Sequence, residues 1–249
     1  MATLHGANVG LLIDGFNMTP YFNEFSIESS QALHDATVFG NTSRVKIPGL
    51  KDGKANGTGF LDVTATVGSF PVLKGKYTGS TPASASPAVV ALGVDGFAFG
   101  NRVAMGYFDE SQFNIKSVID GLEMLTFTGD ADQDGVDYGV SLHALTAETS
   151  FTFNGTSHDN AAATTNGGVG AVHVTAIGGA SPALQFKVQH STDNSSWADL
   201  ITFTNITTAN SVLRVEVAAG TTVRRYTRIV AVEAGTTTTC TFVACFARR

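Results

Sequence analysis

The stretch LQFKVQHS, residues 184–191, alternates without a break. Leu184, Phe186 and Val188 fall on one side, and Gln185, Lys187 and Gln189 on the other. Period two is the pattern of a half-buried strand, since successive side chains of an extended chain point to opposite faces. The same reading extends outward. AVHVTAI (171–177), LITFTNI (200–206), SVLRVEV (211–217), RRYTRIVAV (224–232) and TCTFVACFA (239–247) are strand-length runs joined by polar turns. Strands at this spacing, with no useful helical periodicity, predict an antiparallel β-sandwich over residues 140–249. Cys240, Phe242 and Phe246 share a face there, which makes Cys240 a core thiol, while Cys245 shares its face with Thr239 and Thr241.

The first 139 residues read as a separate domain. Val9–Ile13 is a short apolar run stopped by Asp14-Gly15, a turn signal. From Phe22 on, Phe25 and Ile27 alternate with Glu24, Ser26 and Glu28. Gly59–Val67 resumes strand-like alternation, and GSFPVLKGKY (68–77) is the helix candidate, with Pro71 tolerable in its first turn. STPASASPAVVALGVDGFAFG (80–100) opens as a Pro/Ser/Ala linker and closes as a strand. Arg102–Phe108, Phe113–Ile119 and Met124–Thr128 are further strands. The fold class expected is therefore mainly β. Between two of the early strands lies a long polar excursion, Asp35–Asp62, with five glycines and one proline. Long structureless connections inside compact domains are uncommon and usually functional.

Composition narrows the function. The chain has 249 residues, 43% hydrophobic and only 14% charged. Seventeen phenylalanines and few charges argue against disorder. No run of about 18 apolar residues predicts a membrane-spanning helix. The N-terminal sequence lacks a basic start followed by an apolar stretch, so no secretory signal is expected. Six Asn-x-Ser/Thr triplets read as composition in a Ser- and Thr-rich chain. Cys240 and Cys245 are five apart, on opposite faces of a strand, so a disulfide between them is not expected. Up to His143 the net charge is −7; from Ala144 on it is +1. An acidic front half disfavours tight binding to nucleic acid, which needs Lys and Arg against phosphate.

The chemistry of catalysis is missing. None of the six histidines sits in a catalytic motif, Ser141 near His143 lacks a Gly-x-Ser-x-Gly frame, and GGVGAVH (167–173) reads as a hairpin turn and not a phosphate cradle. No enzyme activity and no cofactor are expected. GDADQDGVDYG (129–139) places Asp130, Asp132 and Asp134 at EF-hand spacing, but Ser141 stands where a bidentate Glu is needed. An acidic turn or linker is the favoured reading, and a weak cation site the lesser one. Trp197 and Tyr226 are candidates for stacking on a glycan, with Asp193, Asn194 and Asp199 as polar partners. Packing of Trp197 over its own hairpin is the commoner fate of a lone Trp.

VGLLIDGFNMTPYFNEFSIESS (9–30) followed by DATVFGNTSRVKIPGLKDGKANGTGFLD (35–62) resembles the major tail tube proteins of long, non-contractile-tailed bacteriophages. The shared order is a strand ending in Asp-Gly, a Tyr/Phe turn, a strand, Asp35-x-Thr37-x-Phe39-Gly40, Pro48–Gly53 and Gly-x-x-Gly-Phe before Asp62. The resemblance covers roughly the first 65 residues well. Residues 140–249 more weakly resemble β-sandwich modules fused to phage structural proteins. The first resemblance implies a β-sandwich or barrel with one flanking helix, assembling as hexameric rings that stack into a tube for DNA ejection. It implies that the 35–62 excursion is an inter-ring loop, with Phe39, Arg44, Lys46, Pro48, Leu50 and Lys51 as contact residues. Glu24 and Glu28 become candidates to face the lumen. The implied partners are further copies of the chain, the tape measure, tail terminator and distal tail proteins, and viral DNA passing without specific binding; no membrane is involved. The protein would be made in the host cytoplasm and reside in the virion tail. The competing reading is another virion component, a head decoration or tail-tip receptor-binding protein with a glycan-binding C-terminal module.

Overall fold

The computed structural model describes residues 8–78 and 87–249. In chain order its elements are β1 (Gly10–Ile13), β2 (Phe16–Asn17), β3 (Phe22–Asp35), β4 (Lys46–Phe60), α1 (Ser69–Thr78), β5 (Ala88–Gly93), β6 (Arg102–Lys116) and β7 (Met124–Glu148). There follow β8 (Phe153–Asn154), β9 (His158–Asp159), β10 (Gly168–Gly178), β11 (Leu184–Ser191), β12 (Trp197–Thr202), β13 (Ser211–Val217), β14 (Tyr226–Glu233) and β15 (Thr239–Arg248). The protein is mainly β, with antiparallel sheets. The helix lies where the Pro71-containing segment predicted it.

The chain forms two compact units. One holds the residues up to Pro20, Val89–Met105 and Asp137–Arg249; the other holds Tyr21–Ala88 and Gly106–Val136. Two stretches that the sequence assigns to a front domain are thus grouped with the C-terminal strands. The acidic stretch 129–138, expected as a turn or linker, lies inside the continuous strand β7. The expected Pro/Ser/Ala linker falls largely on residues 79–86, outside the described residues.

The unit containing the C-terminus is a sandwich. Strands β13, β10, β15 and β7 are successive neighbours in one sheet; β12, β11, β14 and β8 form the other, with β9 also on β14. Phe186, Val188, Ile201 and Ile229 from one sheet meet Leu142, Val172, Val174, Phe242 and Phe246 from the other in a single core. Strands β11 and β13 match their predicted spans residue for residue. The GGVGAVH segment is a turn only at Gly167 (φ 71°); the rest belongs to β10. Gly168 and Gly170 leave space that the side chains of Phe246 and of Ile201 and Phe203 fill. Cys245 is buried as fully as Cys240, because β15 is covered on both faces. The Asp14-Gly15 signal is a two-residue hairpin turn with both φ positive, joining β1 to β2.

In the other unit, β3, β4, β7 and β6 lie side by side in one antiparallel sheet. The sequence read Asp35–Asp62 as a loop, but Lys46–Phe60 is strand, and only residues 36–45 connect β3 to β4. Glycines misled the sequence reading. A Cβ on Gly57 would sit 2.5 Å from the ring of Phe25 and 2.6 Å from that of Phe22; one on Gly129 would meet Phe108 and Phe127 at 3.0 Å. These glycines are bare strand positions roofed by neighbouring aromatic rings. Pro48 is tolerated because β4 pairs with β7 only from Lys54 on, so at Pro48 the missing N–H deprives no second strand. The strand expected over Gly59–Val67 ends at Phe60; residues 61–68 turn into α1. The separate strands expected over Arg102–Phe108 and Phe113–Ile119 are one strand, β6, ending at Lys116.

Candidate functional site

The four-stranded sheet of the second unit has two unlike faces. Register sets Glu24 beside Thr58 and Thr126, Ser26 beside Asn56 and Thr128, and Glu28 beside Lys54 and Asp130. Laterally paired residues share a face, so across these three rows the face is polar; it ends at the Phe60–Met124 pair, which lies on the same side. Lys54 Nζ lies 3.4 Å from Asp130 Oδ1. The opposite face carries Phe25, Ile27, Ala55, Leu125 and Phe127, with the Phe25 and Phe127 rings stacked at 6.2 Å. In α1, Val72 and Leu73 are fully buried, and Phe70 and Tyr77 flank Phe113. Both candidate lumen residues, Glu24 and Glu28, project from the polar face.

The sheet has exposed edges. Strand β3, fourteen residues long, pairs with β4 alone among the described residues. On the far side, β5 has six residues against the fifteen of β6. The Val94 N–H donates to the Arg102 carbonyl at 3.1 Å, which anchors β5 at the start of β6 and leaves its later residues beyond β5's reach. An edge strand presents a row of unpaired backbone donors and acceptors that another chain can complete.

Each end of the sheet carries an apolar tip. At one end residues 36–45 form a braced loop rather than a loose one. Ala36 N–H donates to the Val45 carbonyl, Val45 N–H to Thr37 Oγ1, and Thr37 Oγ1 to Asp35 Oδ1 at 2.6 Å. Those Thr37 contacts hold the Asp35 carboxyl below its usual range. Asn41 N–H closes a turn onto the Val38 carbonyl, and Gly40 at φ 96° allows its third position. Phe39 stands at the corner of that turn, fully exposed, and Leu50 is 87% exposed. Arg44, Lys46, Pro48 and Lys51 are exposed on the same hairpin. At the other end, Val118, Ile119 and Leu122 are exposed on the β6–β7 hairpin, Ile119 at 93%. The sequence places Val118 and Ile119 at the end of an expected strand and leaves Leu122 unassigned, so none of the three is singled out there. The signal was present: Asp120-Gly121 directly after Val118-Ile119 marks a hairpin corner, and Asp120 has φ 67°.

Between these ends lies a partly buried pair. Burial pushes the Glu110 carboxyl up to about 8 and the Lys76 ammonium down to about 8, each partly offset by the other's charge.

The remaining candidates are dispersed. Asp130 and Asp132 lie on an extended strand; the side chain of Asp134 is outside the described residues. Alternate strand residues are roughly 7 Å apart, whereas a calcium loop curls its ligands around one ion. Among the described residues no group of three or more His, Cys, Asp or Glu is placed to hold a metal. Trp197 and Tyr226 stand in one row across the sheet, each opposite Ser191. The Arg228 guanidinium covers the Trp197 ring at 4.2 Å, and that of Arg225 the Tyr226 ring at 5.0 Å. Asp199 binds Lys187 and Gln189, and Asp193 accepts from the backbone of Ser195 and Ser196, so both are engaged within the protein. Asn194 sits at φ 60° in the same turn. Ser141 Oγ donates to a backbone carbonyl, His143 O at 2.8 Å. The His143 ring stacks on Phe242 at 3.9 Å and its Nε2 meets Glu148 at 3.2 Å. Serine and imidazole are therefore not paired as nucleophile and base. Cys240 and Cys245 are free, buried thiols, both pushed up to about 12 by burial.

No protein-family model and no curated protein matches the chain. Solved structures give partial likenesses. A chain from the virion of a native gene transfer agent particle is 8% identical, with a TM-score of 0.43 over 55% of this chain and 98% of that one. A chain from the tail of an empty gene transfer agent particle, refined with C6 symmetry, is 11% identical, with a TM-score of 0.42 over 55% and 98%. The SPP1 Dit protein, described as a hub adsorption apparatus protein of phages infecting Gram-positive bacteria, is 10% identical, with a TM-score of 0.36 over 96% and 98%. At such scores the likenesses leave the functional reading to the geometry.

Proposed function

We propose that the protein is a virion structural protein that assembles into stacked rings of six copies, the tube of a phage tail through which DNA passes. The observation that carries this reading is the four-stranded sheet with one face polar across β3, β4 and β7 as far as the Phe60–Met124 pair, an apolar opposite face, and a fourteen-residue edge at β3 that no second described strand covers. Joining the β3 edge of one copy to the exposed part of β6 on the next extends the sheet, and closing it into a ring removes every edge. The polar face then lines the channel. Glu24, Glu28 and Asp130 outnumber Lys54 there, so the wall repels phosphate and DNA slides without sticking. The β3–β4 hairpin reaches the next ring, a head-to-tail contact that repeats without closing. Tape measure, terminator and distal tail proteins are the partners expected at the tube's ends.

Negative-stain electron microscopy of the purified protein tests this reading. A variant in which residues 37–44 are replaced by a two-residue turn removes the tip and spares β4. Intact protein is expected to give tubes or stacked rings, and the shortened variant single rings. Folded monomers from both proteins overturn the tube.

A further inference from the structure

The two apolar tips sit at opposite ends of one sheet. Asp35 pairs with Lys46 at one end, whereas Phe22 pairs with Gly59 and Phe60 with Met124 at the other. Fourteen residues of β3 separate the ends by roughly 45 Å. The end opposite Phe39 is a composite surface. The Leu61 N–H donates to the Glu123 carbonyl at 3.0 Å, which holds the 61–67 turn against the β6–β7 hairpin. Val63, at 70% exposure, joins Val118, Ile119 and Leu122 there.

The charges of the two ends are opposite. Residues 35–47 contain Arg44 and Lys46 against Asp35, a net of +1; residues 61–67 and 116–123 contain Asp62, Asp120 and Glu123 against Lys116, a net of −2. Exposed apolar side chains ringed by charge mark interaction sites. Opposite signs on the two ends favour contact between unlike ends and disfavour contact between like ends. We infer that the surface formed by Val63, Val118, Ile119 and Leu122, rimmed by Asp62, Asp120 and Glu123, receives the Phe39 hairpin of a second copy of this chain. Phe39 is the anchor, held outward by its turn, and Arg44 and Lys46 face the acidic rim. This rests on the tube reading and names the receiving surface within it.

Cysteine cross-linking tests the contact. Phe39→Cys and Ile119→Cys are made singly and together; the native thiols are buried and do not compete. After mild oxidation of assembled protein, the double variant is expected to give a ladder of multiples of 25.9 kDa on non-reducing gels, and each single variant nothing beyond a dimer. A second arm uses charge. Glu123→Lys is expected to shorten tubes several-fold, and adding Lys46→Glu in the same chain to restore much of their length. Tubes seen by microscopy without a ladder, and with length unchanged by Glu123→Lys, overturn the receiving surface and leave the tube standing. Unassembled wild-type protein overturns both.

Discussion

His173 shows how completely a titratable side chain can be absorbed into structure. It is fully buried in β10, and its Nδ1 accepts the N–H of Gly15 at 3.2 Å. That bond puts the ring proton on Nε2, which has no hydrogen-bond partner among the described residues. Burial pushes the pKa down to about 3. A depressed histidine contributes stability that is fully present above its unfolded pKa near 6.5 and is lost as pH falls toward the folded value. Wild-type protein is therefore expected to lose on the order of 1.4 kcal/mol per pH unit from this one site across that window. His173→Gln retains an acceptor for Gly15 and does not titrate. Urea unfolding between pH 7 and pH 4 should show a shallower decline for the variant. Parallel curves would mean that another group governs acid unfolding.

At the scale of elements, strands were legible wherever alternation was clean. LQFKVQHS and SVLRVEV became β11 and β13 because Leu184, Phe186 and Val188 alternate with Gln185, Lys187 and Gln189, and Leu213, Val215 and Val217 with Arg214 and Glu216. Strand β4 was not legible, because its inward positions are Gly53, Ala55, Gly57 and Gly59; the rings of Phe22 and Phe25 on β3 fill the space over Gly57, and Val136 and Ala131 on β7 that over Gly53. A pattern completed by a neighbouring strand does not show in the strand itself. The candidate site divided along the same line. Phe39 and Leu50 stood out as apolar residues in a polar stretch, whereas Val118 and Ile119 blended into a strand pattern and were exposed only by the turn after them. The glycine argument has a direct consequence. Gly57→Val drives a branched side chain into both rings, so it should cost about 1–3 kcal/mol, the range for overpacking. Thr58→Val, one residue on and on the polar face, should stay within about 0.5 kcal/mol. Thermal unfolding of the two variants decides it, and equal shifts would show that the rings do not roof Gly57.

For the whole molecule, the polar face matters only if it encloses something. A flat polar surface on a free monomer exerts a field that salt screens within about 10 Å. The same residues on the wall of a closed ring face one another across a channel, and their potentials add. Glu24 and Glu28 are the acids that β3, the edge strand, places on the polar face, and Glu28 stands beside Lys54. Replacing Glu28 by Lys would set two like charges side by side and weaken the pair of strands. Glu24→Lys with Glu28→Gln changes the sign of the wall without that conflict. Neither substitution touches the hairpin tips, so the tubes of this variant should match wild type in length. What should change is retention of a short DNA duplex in a tube-pelleting assay: negligible for wild type at any salt, strong for the variant at 50 mM salt, and lost by 200 mM, since binding to phosphate weakens steeply as counterions compete. Equal retention by both proteins at low salt would place Glu24 and Glu28 away from the channel, even if the tube itself stands.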